Sequence, residues 1–286
     1  MSERHVTACI DGSAYSQAVC DAAAWASLRL DIGLTFVHVI DKTGRAAESD
    51  VSGQIGLGSR EHLLAELAQL DEQRARLERE QGRIMLDAAC ERAAADGVAN
   101  AASRQRHGAL AETLVEMESE TRLLVLGKRG ETADTAHEHL GSNLERVIRS
   151  LHCPMLITPP AFKTPERIVV AFDGSRTSKA MIERIAASPL FAGVVCHLVF
   201  VGDASDDCRN KLDEAKAALE AVCGEVTIAV LEEGEVEATL RAYEQANDID
   251  MLVMGAYGHS RIRHLLVGST TTEMIRHANL PVLILR

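Results

Sequence analysis

Three glycines and a serine near the end of the chain have a spacing that could hold a phosphate group. The segment from Gly255 to Ser269 reads G-x2-G-x9-G-S, and it follows an apolar run that predicts a strand. Glycine lets main-chain N–H groups approach phosphate oxygens closely. A helix beginning at Ser269 would add a hydroxyl, free amides and a partial positive charge. The residues between the glycines include His259, Arg261, Arg263 and His264 but no acid. The segment is therefore suited to a polyphosphate anion.

A carboxylate at the end of another predicted strand could complete such a site. Asp173 follows the apolar run Arg167–Ala171 and stands in the sequence Asp-Gly-Ser. In an open parallel sheet, ligands bind beyond the carboxyl ends of the strands, where Asp173 could accept a hydrogen bond from a ribose hydroxyl or an adenine amine. The alternative is a turn that Asp173 stabilises, followed by a helix that Ser175 caps. The residues alone permit both interpretations.

The chain repeats one pattern twice. An apolar run followed by Asp-Gly-Ser occurs at Asp11 and at Asp173, and in both copies a Gly-Ser pair stands 13 residues before a proline that begins another apolar run. Predicted strands alternate with predicted helices, which indicates a parallel sheet with helices on both faces. The predicted fold class is α/β, with two tandem Rossmann-like domains of five parallel strands each. We expect these domains to span residues 1–160 and 161–286.

The first copy carries an additional helical segment at about residues 42–98. The aspartate of Asp-Gly-Ser and the first loop glycine are 116 positions apart in the first copy and 82 in the second. A long helix is predicted from about residue 59 to 95, and Gly82 weakens it by about 1 kcal/mol relative to Ala. The helix either packs on its own sheet or pairs with a partner or a second copy. A broken heptad seam is formed by Leu63, Leu67, Leu70, Leu77 and Ile84.

Composition and charge exclude several classes of function. The net charge of −12 opposes binding to a nucleic-acid backbone, which needs a basic surface. No apolar stretch is long enough to span a membrane, and the first residues lack a signal-peptide pattern. The seven cysteines are scattered without a CxxC pair, which favours reduced thiols over a metal site or disulfides. We expect a cytoplasmic protein with no nucleic-acid, membrane or metal partner.

These residues resemble the universal stress protein family in its tandem, two-domain form. The family motif G-x2-G-x9-G-S/T is matched in full by the second copy, and the resemblance covers the chain apart from residues 42–98. It implies adenine nucleotide alpha hydrolase-like domains and, as in many members, binding of ATP with or without Mg²⁺. The implied nucleotide-binding residues are Ala171, Asp173, Val201, Gly255, Gly258, His259, Gly268, Ser269 and Thr270. Asp173 and the main chain of Val201 would hold the adenosine, and the residues from Gly255 onward would hold the ribose and phosphates.

The same resemblance implies a pairing between the last strands of the two copies. In the family this strand pairs with its counterpart across a dimer interface. Here residues 155–157 and 282–285 would make the pairing within one chain, as an intramolecular pseudo-dimer. The resemblance also leaves room for a homodimer of whole chains and for a protein partner whose identity the sequence does not give.

The first copy departs from the motif. Ten residues, rather than nine, separate Gly130 from Gly141, and this loop contains Glu131, Asp134 and Glu138. Three carboxylates near a triphosphate would repel it. We expect the first copy to bind nucleotide weakly, to bind a different ligand, or to act as a structural partner of the second.

Three functions are compatible with these features. The one that we favour is an ATP-binding, stress-response regulatory module that binds nucleotide mainly in its second domain. A slow ATPase is an alternative, although Asp-Gly-Ser stands at the strand end where an ATP pyrophosphatase would have a Ser-Gly-Gly loop, and no Mg²⁺-binding carboxylate cluster is found near residues 255–269. No catalytic residue is assigned. The other alternative is a nucleotide-independent interaction scaffold that uses the long helix as its binding surface.

Overall fold

The structure is a computed structural model that describes residues 4–40, 57–130, 142–232, 234–255 and 269–286. The strands of the first half are β1 His5–Cys9, β2 Leu34–Ile40, β3 Ala101–His107, β4 Thr121–Gly127 and β5 Met155–Thr158. Its helices are α1 Ser16–Leu30, α2 Leu57–Ala95, α3 Leu110–Met117 and α4 Ser142–Ser150. The second half contains β6 Arg167–Ala171, β7 Val195–Val201, β8 Val226–Leu231, β9 Met251–Gly255 and β10 Val282–Leu285. Its helices are α5 Arg176–Ala186, α6 Asp206–Glu220, α7 Val236–Ala246 and α8 Ser269–His277.

All ten strands belong to one sheet, in the order β3-β2-β1-β4-β5-β10-β9-β6-β7-β8. Each half contributes five strands that pair in parallel. The two sets meet where β10 pairs antiparallel with β5, with Val282 opposite Ile157 and Ile284 opposite Met155. The predicted α/β fold is confirmed, and the last strands pair within one chain as expected. The division into domains at residue 160 stays a prediction.

The hydrophobic core lies on both faces of this sheet and includes residues of both halves. Because side chains alternate along a strand, the neighbours Met155 and Leu156 on β5 enter different clusters. One cluster includes Val6, Phe36, Leu156, Ile168 and Leu283. The other includes Leu124, Met155, Val169, Leu252 and Ile284. The strands are thus buried on both faces, as expected for a parallel sheet covered by helices.

The long helix α2 is present, but it packs on the sheet through other residues than its leucines. Gly82 lies against β2 and β3, where a Cβ atom would stand 2.6 Å from Cδ2 of His38 and would also meet the Gln105 amide. Further along the helix, the contact face continues through small side chains and one leucine. These buried residues are Leu86, Ala89 and Ala93. Of the two alternatives, α2 therefore packs on its own sheet, although the contact is not made through the leucines of the seam that the structure describes.

The four seam residues whose side chains the structure describes instead point away from the sheet. Leu67, Leu70, Leu77 and Ile84 are 43%, 61%, 69% and 57% exposed, whereas the side chain of Leu63 lies outside the described residues. In the part of the chain that the structure describes, no helix is both long and apolar enough to span a lipid bilayer.

Candidate functional site

The carboxyl ends of β6, β7 and β9 lie side by side at one edge of the sheet. β6 stands between the other two strands, so that Ala171 is opposite Met254 of β9 and Val199 of β7. Val201 ends β7 and Gly255 ends β9. From β6 the chain continues to β7 on one side of β6, whereas β9 pairs with β6 on its other side. The direction of winding therefore reverses at β6. Open α/β sheets bind ligands at the carboxyl ends of the strands where such a reversal occurs.

Asp173 follows β6 at this edge and forms the turn that leads into α5. Its Oδ1 accepts a hydrogen bond from the Ser175 N–H at 2.9 Å. Gly174 has a φ of +70°, in the left-handed region that favours glycine. Ser175 then caps α5, because its Oγ accepts from the Ser178 N–H at 3.2 Å. The turn interpretation is confirmed, and since Asp173 is exposed, the turn and a ligand contact are compatible.

Gly255 lies against the first turn of α5. A Cβ atom there would stand 3.4 Å from Cγ2 of Thr177, so a larger side chain would project into a narrow space between β9 and α5. Ser269 begins α8 at the far end of the predicted phosphate loop. The other predicted loop residues, Gly258, His259 and Gly268, lie outside the described residues, as do the side chains of Ser269 and Thr270.

The first half has a cavity of about 180 Å³ at the corresponding edge, beyond β1 and β4. Its polar lining includes Asp11, Ser13, Tyr15, Arg129 and Asn143. Its apolar lining includes Ile10, Val19, Val37, Val39, Leu126 and Leu144. The first half therefore has a crevice with mixed polar and apolar walls beyond the carboxyl ends of its strands.

Side chains approach the loop glycines of this first crevice closely. A Cβ atom on Gly127 would stand 2.7 Å from Cβ of Tyr15, and one on Gly130 would stand 2.9 Å from Oδ2 of Asp11. The Asp11 carboxylate also accepts the Ser13 N–H at 3.0 Å. Tyr15 was not singled out from the sequence. Aligning the two copies would have found it, because Thr177 occupies the same place after Asp-Gly-Ser.

A lysine of the first half reaches the end of α8 in the second. Lys128 follows Gly127, and its Nζ donates a hydrogen bond to the carbonyl oxygen of Ala278 at 2.8 Å. Burial, and secondarily the positive charge of Arg129, lower the pKa of Lys128 to about 8. This contact has no local signal in the sequence, because its partners are 150 residues apart.

Comparisons with known proteins agree with this architecture. The model of the universal stress protein family matches residues 3–159 and 203–286. The chain is 36% identical to universal stress protein Slr1230 of Synechocystis sp., over 99% of this chain and 100% of that protein. A universal stress protein structure from Archaeoglobus fulgidus superposes with a TM-score of 0.71 at 19% identity, covering 100% of this chain and 99% of that one. A putative universal stress protein from Pseudomonas aeruginosa gives a TM-score of 0.62 at 16% identity, covering 99% and 93%. At these identities the two structures show a shared fold.

Proposed function

Because the chain belongs to the universal stress protein family in tandem form, we propose that it is a stress-response regulatory module that binds ATP mainly in its second half. One observation carries this proposal. The G-x2-G-x9-G-S segment leaves the sheet at Gly255 beside Asp173 and Val201, and it ends where α8 begins at Ser269. The two described ends of this segment are thus a strand end and a helix N-terminus, and a glycine-rich connection between two such ends is the arrangement that suits a polyphosphate.

Each part of this crevice would contact a different part of the nucleotide. The main chain of Val201 and the carboxylate of Asp173 would accept hydrogen bonds from the adenosine. The loop from Gly255 to Gly268, with the first turn of α8, would donate main-chain N–H groups to the phosphates. Bound Mg²⁺ would neutralise part of the phosphate charge. ATP binding would act as a regulatory signal only if it favours one conformation or complex over another.

The preference for the second half is supported by the crevice of the first. Its volume of about 180 Å³ is below the range of roughly 300–1,000 Å³ that is usual for small-molecule sites. Tyr15 and the Asp11 carboxylate lie against its loop glycines, where a phosphate would need space and positive potential. We therefore propose that the first half holds a smaller ligand or supports the second half.

Calorimetric titration with ATP tests this proposal through two equivalent aspartates. Asp173→Asn should weaken ATP binding by about tenfold or more, because a hydrogen bond to a charged acceptor is lost. Asp11→Asn is the matched control: it changes the same turn in the first half and should leave the affinity unchanged. The asparagine oxygen can still accept the turn hydrogen bond, so both variants should fold. Two equal ATP sites per chain, or equal effects of both variants, would contradict the proposal.

An interaction scaffold is the second candidate function, favoured by the exposed apolar face of α2. Leu70, Leu77 and Ile84 recur at seven-residue intervals and are each more than half exposed. Large apolar side chains in such a row often mark a protein contact. The ATP titration distinguishes the two functions. If no ATP binds at about 1 mM, the ATP-binding function is excluded and the interaction scaffold is the remaining candidate. Multiple-turnover phosphate release that Asp173→Asn abolishes would indicate an ATPase.

A further inference from the structure

A groove of about 200 Å³ lies between α7 and α8 at the amino ends of β9 and β10. It is at the opposite edge of the sheet from the proposed nucleotide crevice. The length of α8, about 13 Å, lies between the two. One side of the groove is apolar and is formed by Ile249, Leu252, Met274 and Leu280. The other side is polar and includes two glutamates of α7.

The two glutamates, Glu237 and Glu244, are both buried, with 9% and 8% exposure, but among the described residues only Glu237 has side-chain nitrogen atoms of Arg241 and His277 within 4 Å. Oε1 of Glu237 lies 3.4 Å from Nε of Arg241 and 3.4 Å from Nδ1 of His277. Oε1 of Glu244 is fully buried and has no hydrogen-bond partner among the described residues. A buried carboxylate oxygen without a partner is unfavourable and rare in native proteins, so Glu244 lacks a donor at this position.

The shape and chemistry of the groove indicate which donor would fit. Within the described ranges, no three histidine, cysteine, aspartate or glutamate side chains are arranged to hold a metal ion. The apolar side offers contact to a hydrocarbon group instead. A cavity of about 150 Å³ is enough for one benzene molecule, so the groove suits an organic ion of a few heavy atoms.

We propose that this groove binds a small alkylammonium ion, with its ammonium group donating to Glu244 and its hydrocarbon chain lying on Leu252 and Met274. The site shares no residue with the proposed nucleotide crevice and stands independently of that function. Asp248 lies on the rim of the groove, where its Oδ2 is 3.9 Å from Nη1 of Arg167, whereas Arg241 and His277 lie against Glu237. Burial, and next the negative charge of Glu237, raise the pKa of Glu244 to about 7, while Arg241 opposes this effect. A bound cation would restore the ionised form.

Titration of the full chain with n-butylammonium, followed by NMR, tests the proposal. At about pH 8 we expect saturable binding in the millimolar range, with shifts of α7 and α8 resonances. The neutral analogue 1-butanol should bind at least about tenfold more weakly, because it has no charge to pair with Glu244. At about pH 5.5, where Glu244 is protonated, n-butylammonium binding should also fall by about tenfold or more.

Two variants complete the test. Glu244→Gln should abolish the preference for n-butylammonium over 1-butanol. Glu235→Gln, the same change at the exposed residue preceding α7, should retain it. Equal binding of the two probes to the wild-type chain, no binding of n-butylammonium up to about 50 mM, or an unchanged preference in Glu244→Gln would overturn the proposal. If Glu244→Gln does not fold, the probe comparison and its pH dependence in the wild-type chain decide the outcome.

Discussion

Glu244 carries a charge that its surroundings oppose. Its carboxyl group is buried beside Glu237, and these two causes raise its pKa from 4.5 to about 7. The other titratable groups of the groove are Arg241, Asp248 and His277. Because Arg241 and His277 make their close contacts with Glu237, burial leaves Glu244 to favour its neutral form near physiological pH. Ionisation of Glu244 therefore lowers the free energy of unfolding, by an amount that depends on pH.

This cost can be measured by comparing the wild-type chain with Glu244→Gln. The folded-state pKa lies above the unfolded value, so the contribution of Glu244 to stability is fully present below about pH 4.5 and is lost as pH rises through 7. The elevation to about 7 corresponds to about 3 kcal/mol. Urea unfolding at about pH 5 and pH 8 should show Glu244→Gln gaining stability relative to wild type at the higher pH. A difference that does not change with pH, or the same trend in Glu235→Gln, would contradict this account.

At the scale of elements, α2 shows how a glycine can be required inside a long helix. The His38 ring cannot easily move away from α2, because its Nδ1 is hydrogen-bonded to the Ile10 carbonyl at 3.0 Å. The close approach at Gly82 brings the helix down onto β2 and β3. The conformational cost of a helical glycine is thus balanced by packing of α2 on the sheet.

Gly82→Ala should therefore destabilise the chain although alanine is the better helix former. Alanine would gain about 1 kcal/mol in helix propensity, but overpacking against the fixed His38 ring typically costs about 1–3 kcal/mol. We expect a net loss in urea unfolding. Gln81→Ala, at the exposed neighbouring position, should change stability by less than about 0.5 kcal/mol. A Gly82→Ala variant more stable than wild type would refute the close packing.

The elements themselves were largely predictable from the sequence. The predicted start of α8 at Ser269 and the predicted last strand at residues 282–285 coincide with the structure, because Gly268-Ser269 and Pro281 mark these boundaries clearly. The packing face of α2 was not predictable, since its leucines give the stronger apolar signal while close contact needs small residues. At the candidate site, spacing within one loop was enough to predict Gly255 as a binding residue, but contacts such as that of Lys128 with Ala278 join distant parts of the chain and have no local signal.

At the scale of the whole molecule, several contacts join the two halves besides the β5–β10 pairing. Trp25 of α1 packs on Phe162 and Phe191, with ring centroids 5.8 and 6.3 Å apart. Arg29 Nε donates to the Leu190 carbonyl at 3.0 Å, and Arg286 donates to carbonyls at the end of α4. Together with the shared cores, these contacts indicate that the halves unfold as one unit.

Trp25 is the one tryptophan of the chain, so its fluorescence reports on the contact between the halves. We expect its urea transition to coincide with loss of far-ultraviolet circular dichroism, as two-state unfolding requires. Leu240→Ala truncates a buried residue of α7, on the opposite face of the sheet from Trp25, and should cost about 2–5 kcal/mol. If the halves are coupled, this substitution in the second half must lower the urea midpoint seen by Trp25 fluorescence and the midpoint seen by circular dichroism equally. A Trp25 midpoint that stays at the wild-type value while the circular dichroism splits into two transitions would show that each half unfolds separately.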